Sequence, residues 1–220
     1  MALGLFWAGV LGREMVEGDA GVALPGGGNQ VGLRFEKAAT EPGPRNRLHL
    51  HVATATTDEQ GRVVETAVRL GGRHQGKKTP PLGRDIYMLD PGANELCVIE
   101  PSNGYLAGCG PLGEVTCDGS RATGLFWREA LGWSLVWDED EQIAIQSPEG
   151  GTKLAWDLWP DSPATARNRQ RFVLESARPE AEVERLVALG AKPLGVRSGH
   201  FALSDPGGDE FLVSNTARAN

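Results

Sequence analysis

The chain of 220 residues repeats itself, and this internal repeat limits its fold more than any other feature of the sequence. Three segments of the first half return in the same order in the second half. They are GLFW at 4–7 and again at 124–127, RNRLHLHV at 45–52 with RNRQRFVL at 167–174, and LDPGANELCV at 89–98 with SDPGGDEFLV at 204–213. The spacing drifts by only a few residues, as loops of different length would produce. The sequence therefore predicts a duplicated architecture.

The boundary between the two copies is marked by a stretch rich in turn formers. PSNGYLAGCGPL at 101–112 contains three glycines and two prolines, residues that interrupt helices and strands. We therefore predict a first domain at 1–101, a linker at 102–110 and a second domain at 111–220.

Within each half, helical and strand patterns alternate, which predicts an α+β fold. Each half reads as a strand, a helix and three strands, repeated twice. The predicted helices are 5–11, 59–70, 125–131 and 179–189, and the predicted strands include 21–24, 31–35, 86–89, 95–99, 111–117, 142–146, 153–158, 200–203 and 210–214. The first strand of the first repeat is missing, because no residues precede Met1 to form it.

Composition and charge exclude several classes of protein. The net charge is -7 and the isoelectric point is about 5.2, whereas nucleic-acid binders carry a basic surface. The apolar N-terminal stretch is short and has no basic residues before it, so neither a signal peptide nor a membrane span is predicted. Three cysteines without a CxxC pair indicate reduced thiols and a cytoplasmic location.

The motifs resemble those of a known superfamily. DPxxNEL at 90–96, DPxxDEF at 205–211, the two LFWxxxLG helices and the RNRLHL strand start resemble the glyoxalase/bleomycin-resistance/dioxygenase superfamily, also called vicinal oxygen chelate, and most of all its actinobacterial glyoxalase-like domains. The resemblance implies four βαβββ modules that form two tandem half-barrels. The first strand of the first module is absent. In that superfamily the concave face of each half-barrel holds the site.

Metal-dependent members of the superfamily bind a divalent ion through three residues of this face. The resemblance places those positions on Gly113, Arg171 and Leu212 in the second half, and on His49 and Cys97 in the first half, where the remaining position is absent. One histidine and one thiol do not supply the converging nitrogen and oxygen donors that such an ion requires. We therefore predict no metal ion and no other cofactor.

Three residues are candidates for catalysis. His49 and His51 lie two apart on a predicted strand and so share a face, where they could hydrogen-bond a ligand or exchange protons. The alternative is that His49 only forms a structural hydrogen bond. Cys97 would be a nucleophile only if a base such as His49 lay beside it, and a free cysteine in an apolar strand is more often inert.

Charged residues provide a second set of candidates. Arg171 takes the place of His49 in the second half, with Glu175 on the same face, and its guanidinium could bind a carboxylate or phosphate. It could equally form a structural ion pair with Glu210, whose counterpart in the first half is Glu95. We favour the ion pair.

The chain has six tryptophans, five of them in its second half. Trp7 and Trp127 occupy equivalent positions in the two LFW helices and are predicted to be core residues. Trp133 and Trp156 could instead form an aromatic wall for a flat ligand, and a larger core is the alternative.

These patterns predict a metal-free, glyoxalase-like protein that binds a small aromatic metabolite or natural product in its second half-barrel. The alternative is a lyase or isomerase that uses His49 and His51, with or without a divalent metal. Whether the protein is an enzyme is left open. The expected partner is a small molecule rather than nucleic acid or a membrane, and a homodimer is compatible with the sequence.

Overall fold

The computed structural model describes residues 1–18, 21–27, 29–37, 46–75, 84–157 and 168–216. The helices in these residues are α1 (Ala2–Leu11), α2 (Thr57–Arg69), α3 (Arg121–Leu131) and α4 (Pro179–Ala188), with a 3-10 turn at Gly104–Leu106. The strands of the first half are β1 (Val16–Gly18), β2 (Gly21–Leu24), β3 (Leu33–Glu36), β4 (Leu48–Val52), β5 (Arg73–His74), β6 (Ile86–Leu89) and β7 (Glu95–Val98). Those of the second half are β8 (Leu112–Asp118), β9 (Ser134–Glu139), β10 (Gln142–Gln146), β11 (Lys153–Asp157), β12 (Val173–Ser176), β13 (Lys192–Arg197), β14 (His200–Ser204) and β15 (Glu210–Asn215).

The chain forms two compact units that are interleaved along the sequence. Unit 1 comprises 1–40, 49–116 and 146–154, and unit 2 comprises 41–48, 117–145 and 155–220. Unit 1 therefore includes most of β8, which belongs to the second sequence repeat. The boundary predicted at 102–110 concerns the sequence repeats and stays a prediction.

Unit 1 contains two sheets. The antiparallel strands β1, β2 and β3 form the smaller one, and β5, β6, β7, β4 and β8 are consecutive neighbours in the larger one. Strands β4 and β7 are parallel, with Leu50 opposite Leu96 and His51 opposite Cys97. The sequence LHLHV of β4 alternates, so that Leu48, Leu50 and Val52 are buried while the two histidines share the other face.

Unit 2 has a four-stranded sheet in the order β12-β15-β14-β13. It also holds β9 and most of β10 and β11, and these three strands are consecutive neighbours, whereas Lys153 at the start of β11 belongs to unit 1. Strand β12 runs parallel to β15, and the other two pairs of the four-stranded sheet are antiparallel. Its core is aromatic: Trp127 lies 4.9 Å from both Phe172 and Phe211 between ring centroids. Trp156 stacks on Trp127 at 6.5 Å.

The repeated LFW and DPG motifs make the same contact in both units. Trp7 Nε1 donates a hydrogen bond to Asp90 Oδ2 at 3.1 Å, and Trp127 Nε1 donates one to Asp205 Oδ2 at 3.0 Å. Both tryptophans are buried, which confirms the prediction that they are core residues. A buried indole N–H needs an acceptor, and the turn aspartate of each repeat supplies it.

The predicted helices and most predicted strands are present, with ends that shift by a few residues. Helices α1 and α3 end at Gly12 and Gly132, whose φ angles of 62° and 65° are left-handed, as expected for glycine at this position. The sequence patterns did not predict strands β1, β5, β9 and β13. Strands β9 and β13 are exposed along nearly their whole length, so they lack the alternation that reveals a half-buried strand. Residue Leu158, predicted at the end of a strand, lies outside the described residues.

Among the described residues, no helix is both long enough and apolar enough to span a membrane.

Candidate functional site

The face of β4 and β8 in unit 1 brings a histidine and a glutamate together. His51 Nδ1 lies 2.9 Å from Glu114 Oε2. The side chain of Glu114 is 7% exposed, whereas that of His51 is 24% exposed. The glutamate is thus enclosed by the protein, and the imidazole that it contacts reaches the surface.

Glu114 receives hydrogen bonds on both carboxylate oxygens. The Tyr105 hydroxyl donates to Oε1 at 2.8 Å, and the Thr116 hydroxyl donates to Oε2 at 2.9 Å. Burial by itself would raise the pKa of Glu114, but the hydrogen bond and charge of His51, with the bonds from Tyr105 and Thr116, outweigh it and lower the pKa below its ordinary value. Glu114 is therefore ionised at neutral pH.

The carboxylate of Glu114 determines how His51 presents its ring. An ionised carboxylate accepts a hydrogen bond, so Nδ1 of His51 carries the proton in this contact. The neutral ring then has its lone pair on Nε2, and the two side-chain contacts of His51 among the described residues both involve Nδ1. A partly exposed imidazole oriented by a buried carboxylate has the geometry of a general base.

Residues 103–110, which we call the strap, pack against this site. Leu106 and Cys109 are buried in a cluster with Cys97 and Ile99. The strap approaches β8 at Gly113, where a Cβ atom would lie 3.1 Å from Leu106 Cδ1 and 2.9 Å from the Ala53 side chain. The segment predicted to be a linker thus forms part of the core of unit 1.

Lys153 on β11 holds the strap by two contacts with one residue. Its Nζ donates to the Tyr105 carbonyl oxygen at 2.5 Å and lies 3.7 Å from the centroid of the Tyr105 ring. Tyr105 therefore links Lys153 to Glu114, which accepts from its hydroxyl.

His49, the other predicted histidine, has a different environment. Its Nε2 lies 3.0 Å from Glu95 Oε2, although the two groups are not aligned as a hydrogen bond. Glu95 also accepts from Gln75 at 2.7 Å. This pairing favours the structural interpretation of His49 and ties Glu95 to the framework.

Cys97 is 3% exposed and lies in the apolar cluster beneath the strap. The burial predicted for this residue is confirmed. Its register partner is His51, whose Nδ1 faces Glu114. A role for Cys97 as a nucleophile stays a prediction.

The predicted ion pair of the second half is confirmed. Arg171 donates to Glu210 Oε1 at 2.8 Å, and Arg197 lies 3.1 Å from Glu210 Oε2. Glu175 is exposed on β12 and Trp133 is partly exposed after α3. Ligand binding by these residues stays a prediction.

Trp156 differs from what the aromatic-wall interpretation requires. It is 1% exposed and stacked on Trp127, so it is packed inside the apolar core of unit 2. The hollow that it lines with Arg171 and Glu210 has a volume of only about 10 Å³. Trp156 is therefore a core residue in this structure, in agreement with the alternative interpretation.

A larger cleft of about 650 Å³ lies in unit 1, beside the start of α1. Leu3, Val22 and Phe35 give it apolar walls, and Glu17, Glu36 and Lys37 provide charged groups. This volume is within the range of small-molecule sites, although the cleft is broadly open to solvent.

The residues around His51 do not fit a divalent metal ion. Among the described residues, no group of three or more histidine, cysteine or acidic side chains could hold one. Glu114 is already engaged at both oxygens by His51, Tyr105 and Thr116. A metal site needs three or more donors that converge on the ion.

Sequence reasoning missed Glu114, Tyr105 and Lys153. Glu114 and Thr116 lie two apart on β8 and so share a face, a pattern identical to that of His49 and His51. The signal was therefore present, but the sequence does not reveal that β4 and β8 lie in one sheet.

A family profile described as "Glyoxalase-like domain" matches residues 1–99 and 114–214. No curated protein matches the chain significantly.

Solved structures with the same fold include glyoxalase I from Zea mays, with a TM-score of 0.67 and 14% sequence identity over 96% of this chain and 86% of that one. A putative dioxygenase from Bacillus subtilis has a TM-score of 0.57 and 14% identity over 96% of this chain and 79% of that one. At this level of identity the likeness concerns the fold alone.

Proposed function

Because the chain belongs to the glyoxalase-like domain family and carries a histidine oriented by a buried carboxylate, we propose that it moves a proton on a small molecule at His51, as an isomerase or lyase. The observation that carries this proposal is the 2.9 Å contact between His51 Nδ1 and Glu114 Oε2. It leaves Nε2 of a partly exposed imidazole as the proton acceptor.

The proposed step needs no metal ion. A C–H bond next to a carbonyl group breaks, its electron pair stays on the substrate as an enolate, and the proton goes to His51 Nε2. The resulting imidazolium is stabilised by the ionised Glu114 through Nδ1. For a 2-hydroxycarbonyl substrate, His51 then returns the proton to the former carbonyl carbon while the hydroxyl proton passes to the former carbonyl oxygen. In a lyase reaction the enolate instead expels a leaving group, which takes the proton from the imidazolium.

Exchange with solvent deuterium tests this proposal without knowledge of the natural substrate. The protein is incubated in D₂O with a panel of small 2-hydroxyaldehydes and 2-hydroxyketones, each with and without a carboxylate group, and deuterium incorporation is followed by mass spectrometry. We expect exchange on at least one compound, slowed about 10²-fold or more by His51→Gln, since a general acid or base contributes on that order.

His49→Gln is the matched control, because it removes the other imidazole of β4, which is paired with Glu95. Its exchange rate should stay within a few fold of the wild-type rate. Exchange that survives in His51→Gln, or no exchange with any compound of the panel, would contradict proton transfer at His51.

A second candidate function is binding without chemistry, and the 650 Å³ cleft of unit 1 favours it. A planar apolar ligand would contact Phe35 and Val22 there. Phe35→Arg should then abolish the thermal stabilisation that such a ligand causes, while His51→Gln leaves it unchanged. The opposite pattern would place the ligand at His51.

A further inference from the structure

Lys153 is a buried cation without an anionic partner among the described residues. The residue is 9% exposed. Its contacts there are the Tyr105 carbonyl oxygen and ring, and no carboxylate lies within ion-pair distance. An ammonium group has three N–H donors, of which the Tyr105 carbonyl takes one.

Burying an ammonium group is costly unless an opposite charge compensates for it. The other buried basic side chain of comparable exposure, Arg47, has such compensation, because it pairs with Asp209 at 2.8 Å and 3.0 Å. The ring of Tyr105 offers Lys153 a cation–π contact, which offsets part of the cost but supplies no negative charge.

Lys153 also belongs to the same group of side chains as the proposed base. Tyr105 contacts Lys153 through its carbonyl and ring, and it donates to Glu114 through its hydroxyl. Glu114 in turn contacts His51. Lys153, Tyr105, Glu114 and His51 thus form one continuous polar cluster within unit 1.

We propose that Lys153 binds the carboxylate of the small molecule on which this site acts. This inference rests on the proposed function, because it names the substrate class of the same site. One ammonium group compensates for one negative charge, so a monocarboxylate fits better than a dianion. The two N–H donors that Tyr105 leaves unused are sufficient for one carboxylate group.

Titration calorimetry with simple probes tests the inference. The probes are acetate, propionate and 2-hydroxypropionate, each compared with its primary amide, at constant ionic strength. Wild type should bind the 2-hydroxycarboxylate at least tenfold more tightly than its amide. Lys153→Met, which keeps the length of the side chain and removes the charge, should lose at least tenfold in carboxylate affinity.

Lys192→Met is the matched control, because it makes the same change of charge at an exposed position of β13. Its affinity should stay within twofold of wild type. Equal binding of carboxylates by Lys153→Met and wild type, or equal binding of carboxylates and amides by wild type, would overturn the inference.

Thermal unfolding distinguishes a binding role from a structural one. Removing a buried charge that has no ion-pair partner should leave the melting temperature of Lys153→Met unchanged or higher. If Lys153 only holds the strap, its replacement should lower the melting temperature. Carboxylate binding should then be unchanged in any variant that still folds, such as Lys153→Gln.

The two proposals fail in different ways. If deuterium exchange does not depend on His51 but carboxylate affinity depends on Lys153, proton transfer is wrong and the anion site stands. If exchange depends on His51 and carboxylates bind Lys153→Met as they bind wild type, the substrate class is wrong and the general base stands.

Discussion

In unit 1, Trp7 donates a hydrogen bond to Asp90, and in unit 2, Trp127 donates the same bond to Asp205. The two repeats thus share this framework contact between the same pair of atoms. Their sheets differ in the side chains that they enclose. Unit 1 encloses the polar cluster around Glu114, whereas unit 2 encloses stacked aromatic rings around Trp127.

Three acidic side chains, Glu114 of unit 1 and Asp205 and Asp209 of unit 2, respond to their surroundings in opposite directions. The pKa of Glu114 is lowered, because donors from three residues outweigh its burial. Burial raises the pKa of Asp205 despite the hydrogen bond from Trp127, and burial raises the pKa of Asp209 despite Arg47. A duplicated framework can therefore surround one buried acid with enough donors to keep it charged and leave others dominated by burial.

The largest expected effect comes from truncating the aromatic core of unit 2. Trp156→Ala should lower the free energy of unfolding by about 3–5 kcal/mol, because it leaves a cavity among buried rings. Urea denaturation measures this change. A loss below about 1 kcal/mol would mean that Trp156 is a surface wall, as a ligand site in unit 2 requires.

The shared tryptophan–aspartate bond should contribute equally to both units. Trp7→Phe and Trp127→Phe each remove the indole donor and leave a buried aspartate with one partner fewer. We expect each variant to lose about 2–3 kcal/mol of unfolding free energy. Costs that differ by more than about 1 kcal/mol between the two would show that the frameworks are not equivalent.

Acid titration should distinguish Glu114 from Asp205, because their pKa values are shifted in opposite directions. Glu114 has a lowered pKa, so it contributes stability that is present above its unfolded value of about 4.5 and is lost as pH falls through its folded pKa. Glu114→Gln should cost about 1–2 kcal/mol at pH 7 and show a smaller loss of stability between pH 4.5 and pH 2.5 than wild type.

Asp205→Asn is the comparison for this titration. The pKa of Asp205 is raised, so its contribution is present below its unfolded value of about 3.8 and is lost as pH rises through the folded pKa. This variant should therefore show a smaller loss of stability than wild type as pH rises from 3.8 toward neutrality. Urea denaturation at several pH values gives the unfolding free energy of wild type and of both variants. If the difference from wild type changed with pH in the same direction for both variants, the opposite pKa shifts of Glu114 and Asp205 would be contradicted.

The smallest expected effect concerns the surface of unit 2. Arg171→Ala removes the 2.8 Å bond to Glu210, but the side chain of Arg171 is 34% exposed and Glu210 keeps its contact with Arg197. The loss of unfolding free energy should be below about 1 kcal/mol, as for other solvent-screened ion pairs. A larger loss would make this pair part of the core of unit 2.

Much of the fold could be predicted from the sequence because it depends on local patterns. Turn residues and apolar spacing located the helices ending at Gly12 and Gly132, and the alternation of β4 placed His49 and His51 on one face. The exposed strands β9 and β13 were missed because their sequences carry no burial pattern. The ion pair of Arg171 with Glu210 was predicted from parity, because Arg171 comes two residues before β12 and Glu210 begins β15, the parallel neighbour of β12.

The sequence by itself determined the duplication, the α+β class and the presence of histidines at β4. Only the tertiary structure decided which residues surround those histidines. Glu114 and Lys153 are distant from His51 along the chain, and the Glu114 contact forms because β8 lies beside β4 in the sheet of unit 1. Strand neighbours are selected by packing and backbone hydrogen bonding over the whole sheet, and a local pattern of residues carries no information about that selection.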